Sequence, residues 1–112
     1  MLPKALVAAS LRPIILTILS NGETYGYDII QRIHTLSDGK IQWTAGTLYP
    51  VLHRLETRGL IEAVWRPSAS GPRRKYYRLT GEGIQVLETE KRHWVDLNAI
   101  LVKLWGPEVA FG

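Results

Sequence analysis

Apolar residues recur at helical spacing three times in the first half of the chain. Leu11, Ile14, Ile15, Ile18 and Leu19 share one face, with Ser10 placed as N-cap, Pro13 tolerable in the opening turn, and Asn21 and Gly22 as a stop. A second helix is expected from about Tyr25 to Leu36, where Tyr25, Ile29, Ile33 and Leu36 follow one another at spacings of four, four and three; Ser37, Asp38 and Gly39 end it. A third spans roughly residues 44–58, with Leu48, Val51, Leu52 and Leu55 on one face and Gly59 suited to close it. Either Thr44 or Thr47 can cap its start, because Pro50 is compatible with both.

The pattern then changes period. Ile61, Ala63 and Trp65 alternate with Glu62, Val64 and Arg66 as in a strand, and a turn-rich run of six residues, 67–72, leads to a second alternation over residues 75–79. Thr80 then caps a long final helix reaching Trp105, before Gly106 and Pro107. Three helices, a hairpin and a helix, with only residues 39–43 between the second and third helices, is the winged helix-turn-helix order. The expected fold is mainly α with a small β-hairpin. Residues 1–9 form an N-terminal arm, 10–79 the winged helix-turn-helix, 80–105 a C-terminal dimerisation helix and 106–112 a tail.

With 112 residues the chain forms one domain whose core is modest enough to gain from a second copy. The absence of cysteine excludes disulfides, thiolate metal sites and cysteine nucleophiles, and suits a cytoplasmic location. Lys4 followed by apolar residues 5–9 resembles the start of a leader, but Arg12 and Pro13 interrupt it and the helical stripe runs on into the domain. No stretch approaches the roughly 20 apolar residues of a membrane span.

Charge gives the first functional indication. The chain carries 14 Lys and Arg against 10 Asp and Glu, a formal +4, which fits an anionic partner. Much of the surplus lies in the hairpin, where residues 66–78 contain Arg66, Arg73, Arg74, Lys75 and Arg78 and no acid. Opposite the apolar stripe of the third helix stand Gly46, Tyr49, Pro50, His53 and Thr57, flanked by Thr47 and Arg54. Small or hydrogen-bonding side chains at the leading end of a helix suit base edges in a major groove, and cations suit the passing phosphates. A solvated helix face and a solvated charge run would look the same from either segment alone.

Together these segments resemble the PadR family of bacterial transcriptional regulators, in particular its short second subfamily, over roughly residues 11–105. The resemblance rests on Tyr25, Gly26, Tyr27, Asp28 and Ile29, and on the run from Gly46 through Pro50 to Leu52, Arg54, Leu55, Glu56, Gly59, Leu60 and Ile61. It continues in Gly71, Arg73, Arg74, Lys75, Tyr76, Tyr77, Arg78, Leu79, Thr80 and Gly83. It implies a homodimeric regulator of double-stranded DNA, usually a repressor, in which the third helix reads the major groove and the wing touches flanking backbone or minor groove. By position, the DNA role carries to Thr44, Gly46, Thr47, Tyr49, Pro50, Arg54, Arg73, Arg74 and Lys75, with Gly46 acting more as a backbone device than a contact. Pro72 departs from the family pattern at the wing's tip.

The final helix supports a two-fold partner independently. Leu87, Leu97, Asn98, Leu101, Leu104 and Trp105 all fall within about 80° of Trp94 on a helical wheel, an apolar arc wider than one neighbour covers. Trp94 matches the interface tryptophan that stacks on flat aromatic ligands in multidrug-binding PadR relatives. Glu90 and Asn98, one turn to either side, would give such a cavity a rim favouring cations; packing of the dimer core alone is the other use of Trp94. His34, His53 and His93 are scattered, so neither a metal nor a cofactor is expected, and no nucleophile with a base or phosphate loop suggests an enzyme. The expected function is a ligand-responsive repressor on a palindromic operator. Two rivals are a winged-helix module for an acidic protein and a ligand-sequestering protein without regulatory DNA binding.

Overall fold

The computed structural model describes residues 2–106; Met1 of the expected arm and residues 107–112 of the expected tail lie outside the described residues. The elements run α1 (Lys4–Ser20), β1 (Thr24–Tyr25), α2 (Gly26–Leu36), α3 (Ala45–Thr57), β2 (Ile61–Ser68), β3 (Gly71–Leu79) and α4 (Gly81–Trp105). The fold is a winged helix-turn-helix extended by one long helix. Ile15, Leu16, Ile29, Leu48, Leu52, Ile61 and Leu87 are its most deeply enclosed large side chains and bring α1, α2, α3, the sheet and the base of α4 onto one core. Each contributes about 1.5–3 kcal/mol by leaving water.

Three boundaries differ from the sequence expectation. Helix α1 begins at Lys4, after Pro3, so most of the expected arm is helix. Ala5, Ala8 and Ala9 are strong helix formers, and the Ser10 hydroxyl donates to the Val7 carbonyl within the helix instead of capping it. The hairpin is longer than its composition suggests: β2 reaches Ser68 and β3 starts at Gly71, so the tip is two residues, not six. Pro67 and Pro72 are accommodated at an irregularity in the register between Arg66 and Ser68, and the Ser68 hydroxyl donates to the Pro72 carbonyl at 2.6 Å. Third, two-residue β1 pairs with β3, giving the antiparallel order β1-β3-β2. The Thr24 hydroxyl donates to Asp28 at 2.6 Å, tying β1 to the first turn of α2.

The caps at α3 and α4 position the functional elements. Thr44 is the N-cap of α3, its hydroxyl accepting from the Thr47 amide at 3.3 Å, which resolves the choice between Thr44 and Thr47. Gly59, at φ +77°, ends α3 in the left-handed conformation that glycine adopts without a Cβ penalty. Thr80 caps α4 by accepting from the Gly83 amide at 3.1 Å. A Cβ on Gly83 would stand 2.0 Å from the Leu60 carbonyl oxygen, so the first turn of α4 sits directly on the chain leading into β2.

Candidate nucleic-acid interface

The start of α3 is exposed from Thr44 to Thr47, and Tyr49, Pro50, His53 and Arg54 continue that face while Leu48, Val51, Leu52 and Leu55 are buried beneath it. Thr44 spends its hydroxyl on the cap and approaches the Thr47 hydroxyl at 3.4 Å. Tyr49 leans back toward α2: a Cβ on Gly26 would lie 2.5 Å from its hydroxyl oxygen. A side chain at Gly26 would therefore displace the Tyr49 ring, whereas a Cβ at Gly46 would meet only the Thr44 hydroxyl oxygen at 3.7 Å. Packing does not require a glycine at Gly46. Pro50, inside α3, has no N–H to return to the Gly46 carbonyl, so Gly46 presents bare backbone to whatever approaches.

The wing's five cations are less alike than their sequence suggests. Arg66 is ion-paired to Glu23, which holds the Glu23 carboxyl below its usual pKa and raises that of Arg66. Arg78 donates to Glu62 across the hairpin at 2.7 Å. Arg74 lies over the Tyr25 ring, 4.1 Å from its centroid, and Tyr25 in turn meets Tyr76 edge-on at 5.3 Å.

Lys75 reaches back to Glu56 of α3 at 3.4 Å and lies 5.3 Å from the Tyr77 ring centroid. Partial burial disfavours its charge, but Tyr77 and Glu56 together outweigh that and hold its pKa above the usual lysine value. Burial likewise pushes the Tyr77 phenol up, against the pull of Lys75. Lys75 thus ties the wing to the end of α3. The Arg73 side chain has no hydrogen bond, ion pair or ring contact among the described residues. The carboxylates that hold Arg66, Lys75 and Arg78 lie outside the acid-free window, so nothing within that window reveals them.

On α4 the structure separates residues that the helical wheel grouped. Glu90 is only 8% exposed and ion-paired to Arg12 of α1. It is not free to form a rim beside Trp94, because α1 runs along this side of α4 and supplies the cation. Sequence reading missed Arg12; a carboxylate on an apolar helix face was the one signal that a cation must meet it.

Trp94 is 37% exposed and borders a groove of about 480 Å³ with Pro13 and Ile14 of α1, Leu36 of α2, Ile41 and Lys91. Asn98 is half-buried, and its side-chain oxygen is shielded from solvent without a hydrogen bond. Leu97, Leu104 and Trp105 are exposed and Leu101 half-buried, joined outward by Val95 and Ile100. Among the described residues no three His, Asp or Glu side chains cluster as metal ligands, and no helix is long and apolar enough to cross a membrane.

Residues 15–89 match the profile of the transcriptional regulator PadR-like family. The chain is 33% identical over 96 residues to an uncharacterized protein of Lysinibacillus sphaericus, covering 86% of this chain and 88% of that one. It is 37% identical over 87 residues to the transcriptional regulator YqjI of Escherichia coli, covering 78% of this chain but 40% of that regulator's length. Among solved structures, a PadR-like transcriptional regulator from Bacillus cereus superposes with a TM-score of 0.81 at 31% identity, over 92% of this chain and 99% of that one. A transcriptional regulator from Clostridium thermocellum gives 0.84 at 28% identity, over 95% and 100%.

Proposed function

The chain belongs to the PadR-like family of transcriptional regulators, and from that premise we propose that it acts in the cytoplasm as a homodimeric, ligand-responsive repressor of a palindromic operator. Regulators of this family are DNA-binding proteins and not enzymes. The observation that carries the proposal is the pairing of an uncovered α3 face, bare of Cβ at Gly46, with a hairpin whose Arg73 is uncommitted. Helix α3 enters the major groove with Thr47 and Pro50 toward the bases, the exposed edge of the Tyr49 ring beside them with its hydroxyl turned back to α2, and Arg54 meets phosphate. Arg73 is the wing's phosphate contact. Arg74 and Lys75 hold the wing's shape through Tyr25 and Glu56, and Thr44 fixes where α3 starts.

The dimer rests on α4. Leu97, Ile100, Leu101, Leu104 and Trp105 would each contribute about 1.5–3 kcal/mol if covered by a second copy, before the costs of association. Two recognition helices related by that axis read half-sites one turn, about 34 Å, apart. The effector is a flat aromatic molecule held against Trp94, where the groove walls are largely apolar and Glu90, paired with Arg12, is not part of the lining. By binding one arrangement of the α4 helices better than another, it shifts the spacing of the α3 helices and weakens operator binding.

Selection of bound fragments from a random duplex pool, with sedimentation of the free protein, tests the reading. An inverted repeat and a dimer at micromolar concentration are expected. A strict monomer, or indifference to duplexes at low salt, overturns it. Binding to an acidic protein in place of duplex would favour an interaction module, and ligand quenching of Trp94 without loss of operator affinity a sequestering protein.

A further inference from the structure

One face of the β2–β3 hairpin runs from the core into solvent without a break. Cross-strand pairs on that face are Ile61 with Leu79, Ala63 with Tyr77, and Trp65 with Lys75. Ile61 and Tyr77 are buried and Ala63 is half-buried. At the next pair the core has ended: Lys75 leans toward Glu56, and the Trp65 indole is left 58% exposed. Aromatic rings on the opposite face are covered, Tyr25 and Tyr76 by each other and by Arg74. Trp65 has no such cover, and toward the tip, two residues before its cross-strand partner Lys75 and at the register irregularity, stands the exposed, uncommitted Arg73.

We propose that Trp65 is a DNA-contacting residue of the wing, its indole laid on the sugar wall of the duplex while Arg73 takes the adjoining phosphate. The cation beside it selects the occupant. An apolar protein partner or a lipid interior would leave Arg73 desolvated and unpaired, whereas a duplex offers an anion and an apolar deoxyribose edge side by side. Aromatic and apolar side chains on slender elements are used in this way against nucleic-acid sugars and bases. The Lys75–Glu56 pair fixes the strand across from Trp65 against α3, so the indole keeps its position relative to the recognition helix. This rests on the wing facing the duplex, as proposed above.

The test uses the duplex recovered by selection and a mixed-sequence duplex of equal length, each titrated into wild type, Trp65→Ala and Trp65→Phe by anisotropy and tryptophan emission. The alanine variant is expected to bind both duplexes about tenfold more weakly at every salt concentration, with an unchanged salt slope, because an apolar contact releases no counterions. Trp65→Phe should recover most of the affinity and lose the emission change seen in wild type on adding duplex. Wild-type affinity in a Trp65→Ala protein of unchanged melting temperature overturns the proposal, as does an identical emission change in Trp65→Phe. Failure of the wild type itself to bind either duplex would instead remove the DNA reading on which the proposal depends.

Discussion

Arg73 and Lys75 stand two residues apart on β3, yet they should affect the salt dependence of duplex binding in different ways. Each phosphate neutralised by a cation adds about 0.9 to the slope of log affinity against log salt. Arg73 has no partner among the described residues, so two copies in a dimer account for about 1.8 of that slope. Over a fourfold rise in salt, from about 50 to 200 mM, this corresponds to roughly a 12-fold loss of affinity. Arg73→Ala should therefore bind more weakly at low salt and lose roughly 12-fold less over the same range. Lys75 is held by Glu56 at 3.4 Å and lies over Tyr77, so Lys75→Met should leave the slope unchanged. Its effect on affinity should stay within about fivefold, the equivalent of a partly exposed ion pair of at most ~1 kcal/mol. Anisotropy of a labelled duplex at four salt concentrations measures both. A slope that falls equally in the two variants, or does not fall in Arg73→Ala, refutes the assignment.

Gly46→Ala adds a Cβ at ordinary van der Waals distance from the Thr44 hydroxyl in the first turn of α3 and should raise stability by at most about 0.5–1 kcal/mol in chemical denaturation while weakening duplex binding; unchanged binding would show that bare backbone at this point is not used. Gly83→Ala drives a Cβ toward the Leu60 carbonyl and should cost about 1–3 kcal/mol by the same assay. Arg12→Ala should destabilise more than Glu90→Ala, because the first strands a buried carboxylate and the second leaves a cation that is 45% exposed; equal losses in thermal melts would contradict the burial seen here. Lys75 and Tyr77 both have pKa values raised in the fold above 10.5 and 10.0. Their contributions are whole below about pH 10 and shrink as pH rises through the folded values, so Lys75→Met/Tyr77→Phe should lose part of the alkaline fall in melting temperature.

The helices could be read in the sequence because their burial is periodic and local. Leu48, Val51, Leu52 and Leu55 form a stripe whatever α3 packs against, and all four are buried. The start of α1 escaped because its first turns bury almost nothing: residues 4–10 are exposed or half-buried and carry no stripe to detect. Strand β1 is two residues long and exists because β3 offers an edge beside Thr24 and Tyr25. Proline and serine at the wing suggested a wide loop, since composition reports how readily a segment turns and not the register that its flanking strands impose.

The candidate site was legible for the same reason and illegible for the opposite one. A helical wheel sorts faces of an isolated helix and places Glu90, Trp94 and Asn98 together. Which neighbour covers each face depends on α1, whose Arg12 claims Glu90 from far away in the chain. The wing shows the same limit. Its cations are counted within a window that contains no acid, but Glu23, Glu56 and Glu62 reach it from β1's approach, from α3 and from the opposite strand. Net charge survives such pairing, because the formal +4 of the chain is fixed by composition, so long-range attraction for a duplex is as the sequence implies. Directed contact is graded by it. A guanidinium held by an exposed carboxylate, as Arg66 is by Glu23 and Arg78 by Glu62, gives up only a weak, solvent-screened partner when it turns to a phosphate. Arg73 on the wing and Arg54 on α3 carry no ion pair among the described residues and have no such partner to give up, so substitutions there should weaken duplex binding more than substitution of Arg66 or Arg78.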